Sequence, residues 1–394
     1  MEISSQIIYL AVIFILLVFP KALQRYRIPA PLTSFVLGIL TALYTTEYND
    51  NQTLTLLATL GISSLFLFAG LEVDIEKLKQ ESRLLLYHLF GRCASLTLCV
   101  WICMQYLGYT WQVGGLIALA LLTPSTGFII ESLATLGLNK NEKSWVSNKS
   151  IAGELLALFL LFLLLKSDAY QELAYSSGIL LLLAFGLPLL LVMLGKIVIP
   201  HAPGSEFSLL VMVGLIAATI TKALGVYYLV GAFLTGFAAR QLRIKMPDMA
   251  SESNLHAVRL FASFFVPFYF FHSGMEVPEG ALQLEALWLG LGLTVILLPI
   301  RVGSITLQRY LFHKDSLKSS FKIGVALSPT LIFTLVLATI LHNRFGISDV
   351  QFGALLVYAG LNTILPVLLL KMPVGLDVET PTELHMPQPE NQNN

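Results

Sequence analysis

Charge is what this chain has least of. Only 12% of its 394 residues are Asp, Glu, Lys or Arg, about half the share found in soluble domains. The 24 basic and 24 acidic residues cancel, and no stretch offers a basic surface for nucleic acid. An ordinary water-soluble fold is excluded. Cysteine is almost absent as well. Cys93, Cys99 and Cys103 share one apolar stretch, odd in number and at spacings that suit no metal site, so packing is their expected role. No Walker sequence, haem motif or glycine-rich nucleotide loop occurs. ATP-driven transport and electron transfer are left without support, and no cofactor or enzymatic activity is expected. The first apolar run lacks both a positive n-region and a small-residue cleavage site, so it is expected to be a span and not a signal peptide.

What the chain has in abundance is apolar length. Hydrophobic residues make up 56% of it and the mean hydropathy is +0.77. Runs near the ~20 residues needed to cross a bilayer recur thirteen times, at about 5–20, 28–45, 54–71, 84–107, 113–137, 145–166, 171–198, 207–223, 225–239, 256–275, 283–305, 319–341 and 348–370. The expected architecture is an all-α polytopic membrane protein of 13 transmembrane helices, one membrane domain over 1–372. The stretch 373–394, rich in Pro, Glu, Asn and Gln, is expected to be a disordered cytoplasmic tail. With the N-terminus outside and alternating spans, nineteen Lys and Arg fall in inner connections. Three, Lys166, Lys222 and Arg344, fall outside, and Arg92 and Arg301 lie within spans. That asymmetry orients the chain N-out and C-in in a cell membrane and supports the odd span count.

Two apolar segments broken by proline resemble each other. Ala-Leu-Leu-Thr-Pro-Ser-Thr-Gly-Phe ends at Phe128 and Val-Ala-Leu-Ser-Pro-Thr-Leu-Ile-Phe ends at Phe333; Pro124 and Pro329 lie 205 residues apart. The segments holding Gly70 and Gly274 keep nearly the same offset, 204, and the Gly38 segment matches that of Gly236. Partners are seven spans apart, so the copies cross the membrane in opposite directions. This predicts an inverted repeat, with repeat one over about 1–166, a linker helix at 171–198 and repeat two over about 207–372. Proline removes a backbone donor and clashes with the preceding turn, and in hydrocarbon such a break survives where it is buried or lines a wet cavity. Two matched breaks predict crossed, proline-broken helices with opposed dipoles at their centre, the arrangement of a secondary transporter.

Glu154 is the deepest acid, about nine residues from the inner edge of its span and twelve from the outer. At ~1.5 Å per residue that is near the midplane. An ionised carboxylate there is expensive to keep, which makes it a functional candidate: it can hold a proton or a small cation in turn. Thr123, Ser125, Thr126, Ser328 and Thr330 offer oxygens beside the unwound carbonyls. Ser150 lies one turn before Glu154, and Asn362 stands at a corresponding depth in the last span. Hydroxyls in membrane helices often only bond their own backbone. Arg301 could pair with Glu154, compete with a cation, or brace the crossing by binding carbonyl ends; it cannot itself carry a proton. Snorkelling or a pair with Glu131 would account for Arg92. His272 could respond to pH but also suits an interfacial helix end, and Glu72, Asp74 and Glu76 read chiefly as a solvated helix end.

Four segments carry a family resemblance covering about 5–372: Arg-Ile-Pro-Ala-Pro-Leu-Thr-Ser-Phe-Val-Leu-Gly-Ile-Leu from Arg27, Leu-Phe-Leu-Phe-Ala-Gly-Leu-Glu-Val-Asp from Leu65, Leu-Val-Gly-Ala-Phe-Leu-Thr-Gly-Phe from Leu229, and Phe-Phe-Val-Pro-Phe-Tyr-Phe-Phe-His-Ser-Gly-Met from Phe264. They resemble the second branch of the monovalent cation:proton antiporters, the Kef-type and NapA-type group. The resemblance implies a homodimer in which a core bundle holding the crossed helices moves against a dimerisation bundle. It places the membrane carboxylate on Glu154, the basic residue on Arg301, and the unwound segments on Thr123 to Thr126 and Ser328 to Thr330. The family usually has Asp at the carrier position, preceded by Asp, Asn or Gln. Here the pair is Gly153-Glu154, one exchangeable acid, which predicts electroneutral exchange of one monovalent cation (Na+, with K+ and Li+ as alternatives) per proton. The nucleotide-binding domain of Kef-type potassium effluxers is not in this sequence, which disfavours ligand-gated efflux. Two rivals remain: an organic-anion symporter of related fold, which Glu154 would oppose by repulsion, and a transport-inactive sensor.

Overall fold

In a bilayer no water can satisfy a free peptide group, so an apolar chain must close its hydrogen bonds within helices. The computed structural model follows that rule. It describes residues 5–26, 28–44, 51–80, 82–133, 136–167, 170–225, 228–243, 246, 251–313 and 315–370; the expected tail lies outside them. The helices in chain order are α1 (Ser5–Gln24), α2 (Ala30–Tyr44), α3 (Gln52–Leu71), α4 (Ile75–Gln80), α5 (Ser82–Leu107), α6 (Trp111–Leu122), α7 (Thr126–Ser132), α8 (Lys140–Lys166), α9 (Tyr170–Ile197), α10 (Glu206–Ala223), α11 (Tyr228–Gln241), α12 (Glu252–Met275), α13 (Leu284–His313), α14 (Leu317–Ala326), α15 (Leu331–Phe345) and α16 (Asp349–Leu369). Among the described residues, nine helical stretches are long and apolar enough to cross a membrane, or ten when the bent pair α14 and α15 is taken as one. Each of the thirteen apolar runs overlaps a helix or a broken pair of helices, and among the unbroken ones α2 and α11 are the shortest, with 15 and 14 residues.

Polar residues at the ends fix where the helices begin. The Asn139 side chain accepts from the Glu142 N–H while Glu142 returns a bond to the Asn139 N–H, and Ser348 and Gln351 repeat the arrangement at α16. Gly346 closes α15 in the left-handed region, φ 66°.

The helices gather into two neighbouring groups. In one, α12 packs on α2 and α3, while α11 lies between α3 and α10. In the other, α13 packs on α14 and α16, and α6 touches α5, α8, α15 and α16. Glycines set the first group's spacing. A Cβ on Gly38 would lie 2.0 Å from the Phe271 carbonyl oxygen and one on Gly274 2.1 Å from that of Phe35, so α2 and α12 meet glycine to glycine. Gly70 and Gly236 do the same for α3 and α11, against Phe233 and Leu67.

Charged residues gather at the helix ends. Arg344 donates to the Gly225 carbonyl at 3.0 Å, Lys166 also flanks Gly225, and Lys222 lies 4.5 Å over the Tyr228 ring. The three cations that alternating spans assign to the outer connections thus sit together at one end. Elsewhere Asp74, just past α3, pairs with Arg240 near the end of α11 at 3.8 Å.

Candidate functional site

The two proline breaks meet. Residues 123–125 are unwound between α6 and α7, with Thr123 and Ser125 extended, and residues 327–330 separate α14 from α15 at a 42° bend. The Ser125 N–H donates to the Pro329 carbonyl at 2.8 Å. The Ser125 hydroxyl accepts from the N–H groups of Ile332 (2.9 Å) and Phe333 (3.4 Å), capping α15 from a segment 207 residues away. Thr334 donates to the Ala120 carbonyl at 2.7 Å, and the Tyr358 hydroxyl donates to Leu121 at 2.7 Å. Groups that proline frees in one helix are satisfied by the other.

Two arginines hold the carbonyl ends. Arg92 Nη2 donates to Leu122 O at 2.8 Å, the last carbonyl of α6. Arg301 Nη2 reaches Leu327 O at 3.4 Å, just past α14, and its Nη1 bonds the Tyr358 hydroxyl at 2.9 Å. Each guanidinium therefore faces the negative end of a half-helix. For Arg301 this matches the carbonyl-bracing alternative; among the described residues it forms no ion pair with Glu154. For Arg92 it replaces the expected snorkelling. The guanidinium lies against Gly153, where a Cβ would sit 2.9 Å from Nη1. The Glu131 side chain lies outside the described part.

Glu154 on α8 is 2% exposed, and its Oε2 has no hydrogen-bond partner among the described residues. Thr126, the first residue of α7, lies beside this carboxylate, and its Oγ1 makes no hydrogen bond among the described residues. Among the described residues, the buried oxygens Thr123 Oγ1, Thr330 Oγ1 and Asn362 Oδ1 of the other candidates are likewise unpartnered, as are the hydroxyls of Ser34, Ser63 and Ser320 elsewhere. The Asn362 amide donates to Tyr358 O at 2.8 Å, which leaves the acceptor oxygen free. The remaining candidates are engaged. Ser125 caps α15, Ser150 bonds Ser147 O at 2.9 Å, and Ser328 bonds Val325 O at 2.8 Å and Asn362 O at 3.3 Å. Buried acceptors are rarely left unpaired; oxygens with spare lone pairs and one carboxylate suit a desolvated hard cation. Among the described residues no cluster of His, Cys, Asp and Glu could hold a resident metal, and Cys93, Cys99 and Cys103 are free thiols on α5.

Tyr358 and Thr334 were not among the candidates. Tyr358 lies one turn before Asn362 in an apolar span, and a phenol buried at that depth must find partners. That was the available signal. The other candidates lie apart: His272 sits at the α12 end near Thr55 (3.1 Å) and Glu276 (3.7 Å), and Asp74 caps Glu76.

Interrupted membrane helices joined at their breaks, with a buried acid alongside, define a secondary transporter. The family model described as "Sodium/hydrogen exchanger, transmembrane" matches residues 10–374, so the chain belongs to that family. It is 27% identical over 351 residues to a protein named "Probable Na(+)/H(+) antiporter 3" from Methanocaldococcus jannaschii, covering 86% of this chain and 88% of that protein. Among solved structures it resembles the sodium proton antiporter MjNhaP1 from the same organism. The structure at pH 8 matches with a TM-score of 0.62 and 16% identity, covering 92% of this chain and 96% of the other. An electron-microscopy structure matches with a TM-score of 0.65 and 16% identity, covering 94% and 96%. At that identity the likeness concerns the fold.

Proposed function

We propose that this exchanger moves one monovalent cation, Na+ first, against one proton, with Glu154 as the shared carrier. The observation that carries it is the Glu154 carboxylate, buried at the join of two broken helices with an unpartnered oxygen. When Glu154 is ionised, a cation that has shed water can take oxygens from Glu154, Thr123, Thr126, Thr330 and Asn362. When Glu154 is protonated the charge is gone and the site releases the cation. One acid gives one charge in each direction, hence electroneutral exchange. Arg92 and Arg301 brace the carbonyl ends and stay charged throughout. The organic-anion symporter is not favoured: the family is a cation exchanger family, and Glu154 would repel a carboxylate.

Pairs of contacts support the inverted repeat. Exchanging the matched spans carries the Gly38–Gly274 contact onto Gly236–Gly70, and the Arg92–Leu122 bond onto Arg301–Leu327. We take α9 as the linker, α6–α7 and α14–α15 as the crossed pair, and all thirteen apolar runs as spans, N-out in the cell membrane. The two helix groups suit a core bundle that slides against a dimerisation bundle in a homodimer. The four quoted segments support the Kef-type and NapA-type branch.

The test is exchange in proteoliposomes with an imposed pH gradient and Na+, Li+ or K+ added in turn. Na+ should release the gradient, and Glu154→Gln should lower the rate by at least about a hundredfold, roughly 2.7 kcal/mol of lost function. Full exchange by Glu154→Gln, or silence with every cation, would overturn the mechanism.

A further inference from the structure

Beside the two breaks lies a cavity of about 280 Å³ to which the exchange mechanism assigns no ligand. Its walls carry Arg92 and His88 from α5, Lys149 from α8, and Arg301 and Gln308 from α13; among the described residues no acidic one lines it. Glu154, Thr123, Thr126, Thr330 and Asn362 are not among its described lining residues. Two guanidiniums, the Lys149 amine and an imidazole therefore face one hollow, with no acidic side chain among the described lining residues.

The polar groups there are incompletely used. Lys149 is 2% exposed. Its ammonium donates to Gln308 Oε1 at 2.9 Å and lies 4.2 Å over the Trp145 ring, two partners without negative charge. Arg92 Nε and His88 Nε2 have no hydrogen-bond partner among the described residues. Buried cations cost several kcal/mol each unless paired, and unmade hydrogen bonds add to that cost. An anion with several oxygens would supply both what the charges and what the N–H groups need.

We propose that this cavity binds a phosphate-bearing anion at a site separate from the cation site. Its volume suits a phosphate group with an ester substituent. From the cavity, α5, α8 and α13 run toward Ser82, Lys140 and His313, the end that also carries Lys143, Lys318 and Lys322. Gly91 and Ser95, which also line it, are exposed on α5, so it opens sideways as well. A basic pocket between membrane helices at the basic end is placed to take a headgroup from an anionic leaflet. A soluble phosphate offers the same chemistry.

The full chain in nanodiscs tests this, with binding read from thermal unfolding and from titration. One arm adds phosphatidylglycerol to phosphatidylcholine discs; the other adds inorganic phosphate to discs of phosphatidylcholine alone. Saturable stabilisation in the first arm only identifies a lipid, and in the second a soluble anion. Lys149→Gln should weaken the effective ligand about tenfold or more, as loss of a charge-assisted contact requires, while Lys149→Arg stays within about threefold. Gly91→Phe, which keeps every charge and obstructs the lateral mouth, should weaken it comparably and covers the case in which Lys149→Gln does not fold. The proposal fails if neither probe gives saturable stabilisation, or if binding is unchanged in Gly91→Phe and in whichever Lys149 variants fold.

Discussion

Around Glu154 the identity of an oxygen matters less than whether it is already spoken for. Thr126 and Ser150 both lie near the acid in sequence or space. Thr126 Oγ1 has no partner, while Ser150 bonds the Ser147 carbonyl. Thr126→Val should therefore raise the KM for Na+ about tenfold with little change in the maximal rate, the equivalent of one lost ligand near 1.4 kcal/mol. Ser150→Ala should change it less than about twofold, because a hydroxyl bonded to its own helix contributes little. Cation-dependent exchange measured over a range of Na+ separates the two, and equal effects would remove Thr126 from the site. Glu154, the hydroxyls at both prolines and Asn362 were legible in the sequence, since depth in an apolar run and proximity to proline are linear properties. The role of Arg92 was not. Its partner Leu122 is 30 residues on, and the space it occupies exists because residue 153 is glycine.

Proline alone does not break a helix in this chain. Pro20, Pro188, Pro267, Pro299 and Pro366 all lie within continuous helices, whereas Pro124 and Pro329 lie in unwound segments. The difference is the partner: each break satisfies the freed groups of the other through Ser125, Thr334 and Pro329. Ser125→Ala removes the oxygen shared by Ile332 and Phe333 and should destabilise the protein by about 1–2 kcal/mol, a typical cap loss. A melting temperature in detergent equal to wild type would contradict that. Where α3 and α11 meet, space is tighter still. Gly236→Ala would bring a Cβ to 2.0 Å from the Leu67 carbonyl oxygen, backbone that cannot swing aside. A loss of about 3 kcal/mol is expected from overpacking, read as a lower melting temperature and weaker recovery from the membrane. The glycines were visible in the sequence as repeat markers, but which faced which was not.

For the molecule as a whole, the proposed sharing of one carboxylate by two cargoes would impose linkage between them. While the protonated form predominates, the KM for Na+ should fall by up to about tenfold for each unit rise in pH, because proton and cation compete for one site. Valinomycin with K+, which clamps the voltage, should leave the Na+-driven rate unchanged if one charge moves each way. A rate that follows the imposed voltage would require a second charge in the cycle. The two helix groups give this exchange a mechanical setting: the breaks, both arginines and Glu154 belong to the group built from α5–α8 and α13–α16, so the site can move as a unit.

The sequence by itself determined the solvent, the helices and the candidate acid. With 56% apolar and 12% charged residues, burial in lipid is the low-energy state, and backbone hydrogen bonding then leaves helices as the way to cross. It also carried the paired prolines and the single deep carboxylate, which need only position along the chain to be read. Tertiary structure decided which polar groups remain free. Ser125, Ser328 and Ser150 are consumed by backbone partners, while Thr123, Thr126, Thr330 and Asn362 keep an oxygen unpaired. It also brought Arg92, Lys149 and Arg301 from three helices around one cavity. Hydrogen-bond satisfaction and charge pairing depend on distances of a few ångströms between segments far apart in the chain, and only the folded packing sets those distances.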